Sequence, residues 1–155
     1  MILIKPMQQV HIDAVYEIEH ACFVTPWSKE SFKRELESEM PPTFYVVAML
    51  YEPFSEPRVV GYAGMWHIVN EGHITNVAVH DNHRRKGIAG MMIAQLIEIA
   101  KQREMIGITL EVRVSNHSAR NLYEQHGFLA EGFRKGYYAD TGEDAIVMWK
   151  HMSPY

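Results

Sequence analysis

A single cysteine, Cys22, among 155 residues excludes an intrachain disulfide framework and any metal centre built from several thiolates. Positive charge is not in excess either. Lys and Arg number 15 against 19 Asp and Glu, a net charge of −4, which argues against a protein that coats nucleic acid or an anionic membrane. No run approaches the ~18 continuous apolar residues of a membrane helix, and the opening MILIKPMQQVHID lacks the charged start and apolar core of a signal peptide. There is no Walker G-K-[ST] and no G-x-G-x-x-G. Repeats, linkers and low-complexity stretches are missing too. With 47% apolar and 22% charged residues, the expectation is one globular domain over 1–155, cytoplasmic, and monomeric by default. Neither nucleic acid nor membrane is an expected partner.

What is present is a regular alternation of patterns. Ile2 to Ile4 read as a first strand closed by Pro6, and Val10, Ala14, Val15, Ile18 and Cys22 recur at helical spacing from about Gln8 to Phe23. Ser28 is positioned to cap a second helix, Lys29 to Glu39, which Pro41-Pro42 stops. β-Branched and aromatic residues mark strands at 44–51 and 59–69, around the loop EPFSEPR, and at 73–79 after the turn Asn70-Glu71-Gly72. An apolar helix spans Ile88 to about Arg103, followed by a strand 107–114 and a short helix 118–126 with Gly127 at its C′ position. Strands 128–134 and 145–150 close the chain around GYYADTGED. Three consecutive strands without intervening helices exclude a doubly wound Rossmann pattern. The order predicts an α/β (α+β) fold, a mixed sheet with helices on both faces.

The stretch HDNHRRKGIAGMM, residues 80–92, sets three consecutive cations at the start of the long helix, where the macrodipole disfavours them. A solvated turn is one explanation. The other is a bound anion: the free N–H groups of a helix start converge there, Gly87 and Gly90 let a phosphate approach, and Arg84, Arg85 and Lys86 surround it.

R-R-K-G-I-A, with Arg84, Gly87 and Ala89 in register, resembles the [QR]-x-x-G-x-[GA] pyrophosphate loop of the GCN5-related N-acetyltransferase (GNAT) superfamily. The likeness extends through NVAV (76–79), LEVRVSN (110–116), ARNLYEQHGF (119–128), GYYADTGEDAIVM (136–148) and TPWS (25–28). It is similar to the bacterial ribosomal-protein alanine N-acetyltransferases. The resemblance implies a mostly antiparallel central sheet of about seven strands and acetyl-CoA as cosubstrate. It also implies a ribosomal-protein N-terminal alanine as acceptor, acetylated by direct attack in a ternary complex. Implied cofactor contacts are Val77, Ala78, Val79, Arg84, Arg85, Lys86, Gly87, Ile88, Ala89, Gly90 and Asn116. Asn116 is equally placed to cap the helix that follows it.

Acyl transfer to an amine needs a base, an oxyanion site and a donor for the leaving thiolate. Glu111 lies between Leu110 and Val112, so strand alternation turns it onto the face it shares with Arg113. Partial burial there would raise its pKa towards neutrality. A surface carboxylate paired with Arg113 is the plainer alternative, and the resemblance implies the base. Tyr123 is implied as the proton donor; without the resemblance it is equally a packed tyrosine with its hydroxyl at the rim. Glu71 and His73 are candidates to share base duty through water. Freeing a lysine amine at neutral pH costs roughly 3.5 kcal/mol more than freeing an α-amine, which modestly favours N-terminal acceptors. Trp27, Tyr137 and Tyr138 are candidate walls for the acceptor channel or, alternatively, packing anchors. Asp140 and Asp144 are placed to attract a cationic end. His80 and His83 have H-x-x-H spacing but no third ligand nearby in sequence, so no metal site is expected. Cys22 reads as core. A small-molecule or lysine acetyltransferase of the same superfamily, and a non-catalytic acyl-CoA-binding module, remain as alternatives.

Overall fold

The computed structural model describes residues 1–152. Among these residues, seven strands and four α-helices follow in the order β1 (Ile2–Pro6), α1 (Ile12–Cys22), α2 (Lys29–Glu37), β2 (Thr43–Leu50), β3 (Arg58–Ile68), β4 (Glu71–Val79), α3 (Ile88–Gln102), β5 (Gly107–Arg113), α4 (His117–Gln125), β6 (Leu129–Tyr138) and β7 (Glu143–His151). No helix among them is long and apolar enough to cross a membrane. The sheet order is β1-β2-β3-β4-β5-β7-β6, antiparallel throughout except for β4 and β5. This is the mixed sheet that the pattern predicts, mostly antiparallel as the resemblance implies.

The sheet buries both faces. One face carries Val46, Val60, Met65 and Ile108 against Met92, Ile93 and Leu96 of α3. The other sets Val47 and Tyr62 against Val15 and Ile18 of α1 and Phe32 of α2. A side chain the size of Leu96, fully buried, stabilises the fold by roughly 1.5–3 kcal/mol through area removed from water.

α2 stops at Glu37 rather than Glu39, β4 starts at Glu71 inside the expected turn, and two further boundaries differ more. The first helix does not begin at Gln8: Gln9–His11 form a 3-10 turn and the α-helix starts at Ile12. The last hairpin is longer than its sequence suggests. β6 runs on to Tyr138, where Tyr138 pairs with Glu143, so the Tyr-Tyr pair lies on a strand rather than in a loop. Aromatic residues tolerate a pleated, half-exposed surface, whereas the glycines around them favour a turn when the stretch is read alone.

The parting of two central strands positions the cleft. Strands β4 and β5 pair in parallel only over Glu71–His73 with Gly107–Thr109. Beyond His73 the two separate, while β4 stays paired with β3 as far as Val79. The register between β3 and β4 shifts at Thr75, a β-bulge, and bulges bend and twist the strand that carries them. From Ile74 to Val79 the edge of β4 that faces β5 has no strand partner among the described residues, so its alternate N–H and C=O groups make no ladder bonds there, although the Val79 carbonyl accepts from Arg84 Nε.

Candidate active site

Where β4 and β5 part lies a cleft of about 560 Å³. Trp27, His73, Asn76, Val77, Glu111, Asn116, Tyr123, Tyr137 and Tyr138 all line it. Residues far apart in the chain thus meet in one place. Ala78 and Val79, at the end of the same strand, and the loop Arg84–Gly90 beyond it lie outside that lining.

Glu111 projects from β5 and is held at both oxygens. His73 Nε2 lies 2.7 Å from Oε2, and Arg134 Nε donates to Oε1 at 3.1 Å. Its side chain is 10% exposed, that of His73 29%. The expectation of a raised pKa is corrected here. The hydrogen bond from His73 holds the Glu111 carboxyl below its ordinary range, outweighing burial, and the Arg134 charge adds to the effect. Strand alternation implies the burial, but the opposing partners come from β4 and β6 and are invisible to it. The alternative pairing with Arg113 is also absent: Arg113 bonds Asp140 at 2.8 Å, lies 3.6 Å from Glu143, and stacks 4.0 Å from the Tyr138 ring.

Tyr123 is fixed by the end of its own helix. Gly127, at φ +91°, closes α4 with Gly127 N–H donating to Glu124 and Phe128 N–H to Tyr123, the paired bonds of a Schellman cap. Phe128 then sets its ring edge-on, 5.8 Å from the Tyr123 ring. The residue is packed and lines the cleft, its hydroxyl has no protein partner among the described residues, and burial, helped by Tyr138, pushes its phenol up to about 12. A phenol that keeps its proton so firmly can donate a hydrogen bond into the cleft. Asn116 performs the cap, its Oδ1 accepting from Ala119 N–H at 3.1 Å, while also facing the cleft.

The remaining candidates divide. Tyr137 and Tyr138 pack edge-to-face at 5.1 Å on one wall, and Trp27 packs tilted against Phe32 at 5.4 Å on the other. Asp140 and Asp144 are not free charges. The Arg113 guanidinium holds Asp140 well below the usual carboxylate range, and Asp144 accepts from Gly136 N–H at 2.8 Å. Among the described residues no group of His, Cys, Asp and Glu is arranged to hold a metal.

The cation-rich loop turns through two left-handed residues, Arg85 at φ +61° and Gly87 at φ +77°. Nothing lies within 4 Å of where a Gly87 Cβ would sit, so the dihedral and not crowding demands glycine. Turns of this kind present successive N–H groups to one concavity, here at the start of a 15-residue helix. Arg84 is not the free cation expected; it bridges Asp81 at 3.0 Å and donates to Val79 O at 3.3 Å.

Sequence reasoning missed Arg134, Asn76 and Glu19. Glu19 had a signal, since it falls four residues after Val15 on the buried stripe of α1. Arg134 had none.

The acetyltransferase (GNAT) family model matches residues 12–128. The chain is 38% identical over 146 residues, 94% of its length and 93% of the other's, to a Bacillus subtilis (strain 168) protein provisionally named [ribosomal protein bS18]-alanine N-acetyltransferase. It is 29% identical over 147 residues, 94% of each chain, to the Escherichia coli (strain K12) [ribosomal protein bS18]-alanine N-acetyltransferase. The crystal structure of the Escherichia coli ribosomal-protein-S18-alanine N-acetyltransferase superposes with a TM-score of 0.81 at 28% identity, covering 99% of this chain and 96% of that one.

Proposed function

The chain belongs to the GNAT acetyltransferase family, and on that premise we propose that it transfers acetyl from acetyl-CoA to the N-terminal alanine α-amine of ribosomal protein bS18. The attack is direct, within a ternary complex. The observation that carries this reading is the unpaired edge of β4. It runs from a cleft holding Glu111 and Tyr123 to a helix start rich in cations.

Each part of the molecule then has its role. Backbone N–H groups at the start of α3, from Gly87, Ile88, Ala89 and Gly90, grip the diphosphate, with Arg84, Arg85 and Lys86 adding charge. The free edge at Val77, Ala78 and Val79 hydrogen-bonds the pantetheine arm and supplies the oxyanion contact, and Asn116 borders the same channel. The Glu111–His73 pair takes the proton that the α-ammonium must lose before its nitrogen attacks the thioester carbonyl. Tyr123 stabilises the departing sulfur, and the acceptor peptide enters between Trp27 and the Tyr137–Tyr138 wall. The acceptor places the reaction in the cytoplasm, with the protein acting as a monomer and without nucleic acid or membrane.

The test is mass spectrometry of peptides that differ in their first residue and carry internal lysines, incubated with protein and acetyl-CoA. Acetyl is expected on the α-amine, fastest for alanine. Modification confined to lysine side chains would overturn the proposal.

A further inference from the structure

Glu19 is 1% exposed, and no Lys, Arg or His among the described residues bridges it. A carboxylate buried without a cation persists only where donors satisfy it, and a leucine at this point of the α1 stripe would fill the space at lower cost. Its donors therefore explain its presence. The Trp27 backbone N–H donates to Oε2 at 2.8 Å, while Oε1 accepts from Asn76 Nδ2 at 3.2 Å and from the Tyr62 hydroxyl.

These donors belong to three different elements, and two of them border the cleft. Trp27 sits in the irregular segment between α1 and α2 that supplies Phe23, Val24 and Thr25 to one wall. Asn76 follows the bulge at which β4 turns away from β5, and its own Oδ1 is buried without a partner among the described residues, so within them its side-chain amide is held from the Glu19 side. One buried carboxylate thus couples the wall of the acceptor slot to the strand edge beside it.

We infer that Glu19 is a positioning residue for the acceptor: through the Trp27 amide and Asn76 it sets the width of the slot into which the N-terminus enters. This rests on the reading of the cleft as the acceptor side of an acetyltransferase. Geometry and not charge is what the residue supplies. Glutamine in its place can still accept from Trp27 N–H, and its amide can donate to the Tyr62 oxygen and to a turned Asn76 Oδ1.

The test compares the parent, Glu19→Ala and Glu19→Gln in steady-state kinetics with an alanine-first peptide, alongside acetyl-CoA binding by calorimetry. Glu19→Ala is expected to raise the peptide KM about tenfold, the scale of one lost buried contact, with kcat within threefold and acetyl-CoA affinity unchanged. Glu19→Gln is expected to return KM to within threefold of the parent. An unchanged KM in Glu19→Ala overturns the inference. So does an equal loss in Glu19→Gln, which would make the charge itself the requirement, or a parallel loss of acetyl-CoA affinity, which would make the role structural only. Should Glu19→Ala fail to fold, hydrogen exchange on the parent decides: the Trp27 amide is expected to be protected as well as the core of α1, and fast exchange refutes the anchor. If the parent itself acetylates no peptide, the functional reading fails, and the exchange measurement still tests the Trp27 anchor.

Discussion

The two sides of the proposed site, the acceptor cleft and the cofactor stretch that runs on beyond it, are built from different materials. On the cofactor side, a contiguous stretch from Val77 to Gly90 offers backbone groups: a strand edge without a partner, two left-handed residues, and a helix start. On the acceptor side, side chains converge from far apart in the chain. His73 and Glu111 are 38 residues apart, and Glu111 and Arg134 are 23 apart. A grip made of main chain depends on dihedral angles and tolerates changes of side chain. A site made of side chains depends on long-range packing and on each functional group. The consequence is that damage on the two sides should appear in different kinetic constants.

The sharpest way to break this contrast is at Glu111. Glu111→Gln keeps the shape and removes the proton acceptor, and kcat is expected to fall by about 10²-fold or more, with acetyl-CoA affinity unchanged by calorimetry. Tyr123→Phe removes only a hydroxyl that has no protein partner among the described residues, and a fall of about 10²-fold in kcat is expected. If either substitution weakened acetyl-CoA binding in proportion to turnover, the two sides would not be separable and the division would collapse.

A tenfold effect is expected on the other side. Gly87→Val forces a β-branched residue into φ +77°, where L-residues cost ~1–2 kcal/mol. The KM for acetyl-CoA should rise about tenfold while the peptide KM stays put. Because open space surrounds that Cβ, Gly87→Asn should cost much less than Gly87→Val, since asparagine tolerates the left-handed region. Equal losses for both would point to crowding by the bound cofactor instead of backbone geometry.

The same contrast explains what could be read from the sequence. The loop from Asp81 to Gly90 is legible because contiguous residues build it, with glycine at one of its two positive-φ positions (Arg85 holds the other), small residues at a helix start and cations beside them. Strand alternation placed Glu111 on the correct face, and Gly127 marked the end of the helix that carries Tyr123. What alternation could not supply was the partner across the sheet. His73 reaches Glu111 because β4 and β5 are neighbours, and Arg134 reaches it from β6. No local pattern encodes a strand order, so the sign of the Glu111 pKa shift came out inverted. Glu19 lay within reach of the helical pattern, but an acidic residue on an apolar stripe is easily passed over when only apolar positions are counted.

The smallest expected effect lies in stability, and it tests whether the acceptor side is held by its charges. The Glu111 carboxyl is depressed in the folded protein by His73 and Arg134. A group whose folded pKa lies below its unfolded value stabilises the fold at pH above the unfolded pKa, and that contribution disappears as pH falls through the folded pKa. The parent should therefore lose stability on acidification below the ordinary glutamate range of about 4.3. Glu111→Gln, which has no such proton to take up, should lose less over the same interval. Melting temperatures of both proteins from pH 6 to pH 3 measure the difference. Arg134 is half-exposed, so salt should weaken its share of the effect, whereas the His73 contact, more enclosed, should persist at high ionic strength. A parent and variant with parallel melting curves across that range would mean that Glu111 is equally acidic folded and unfolded. The His73 hydrogen bond would then hold nothing, and the acceptor side would owe its shape to packing alone.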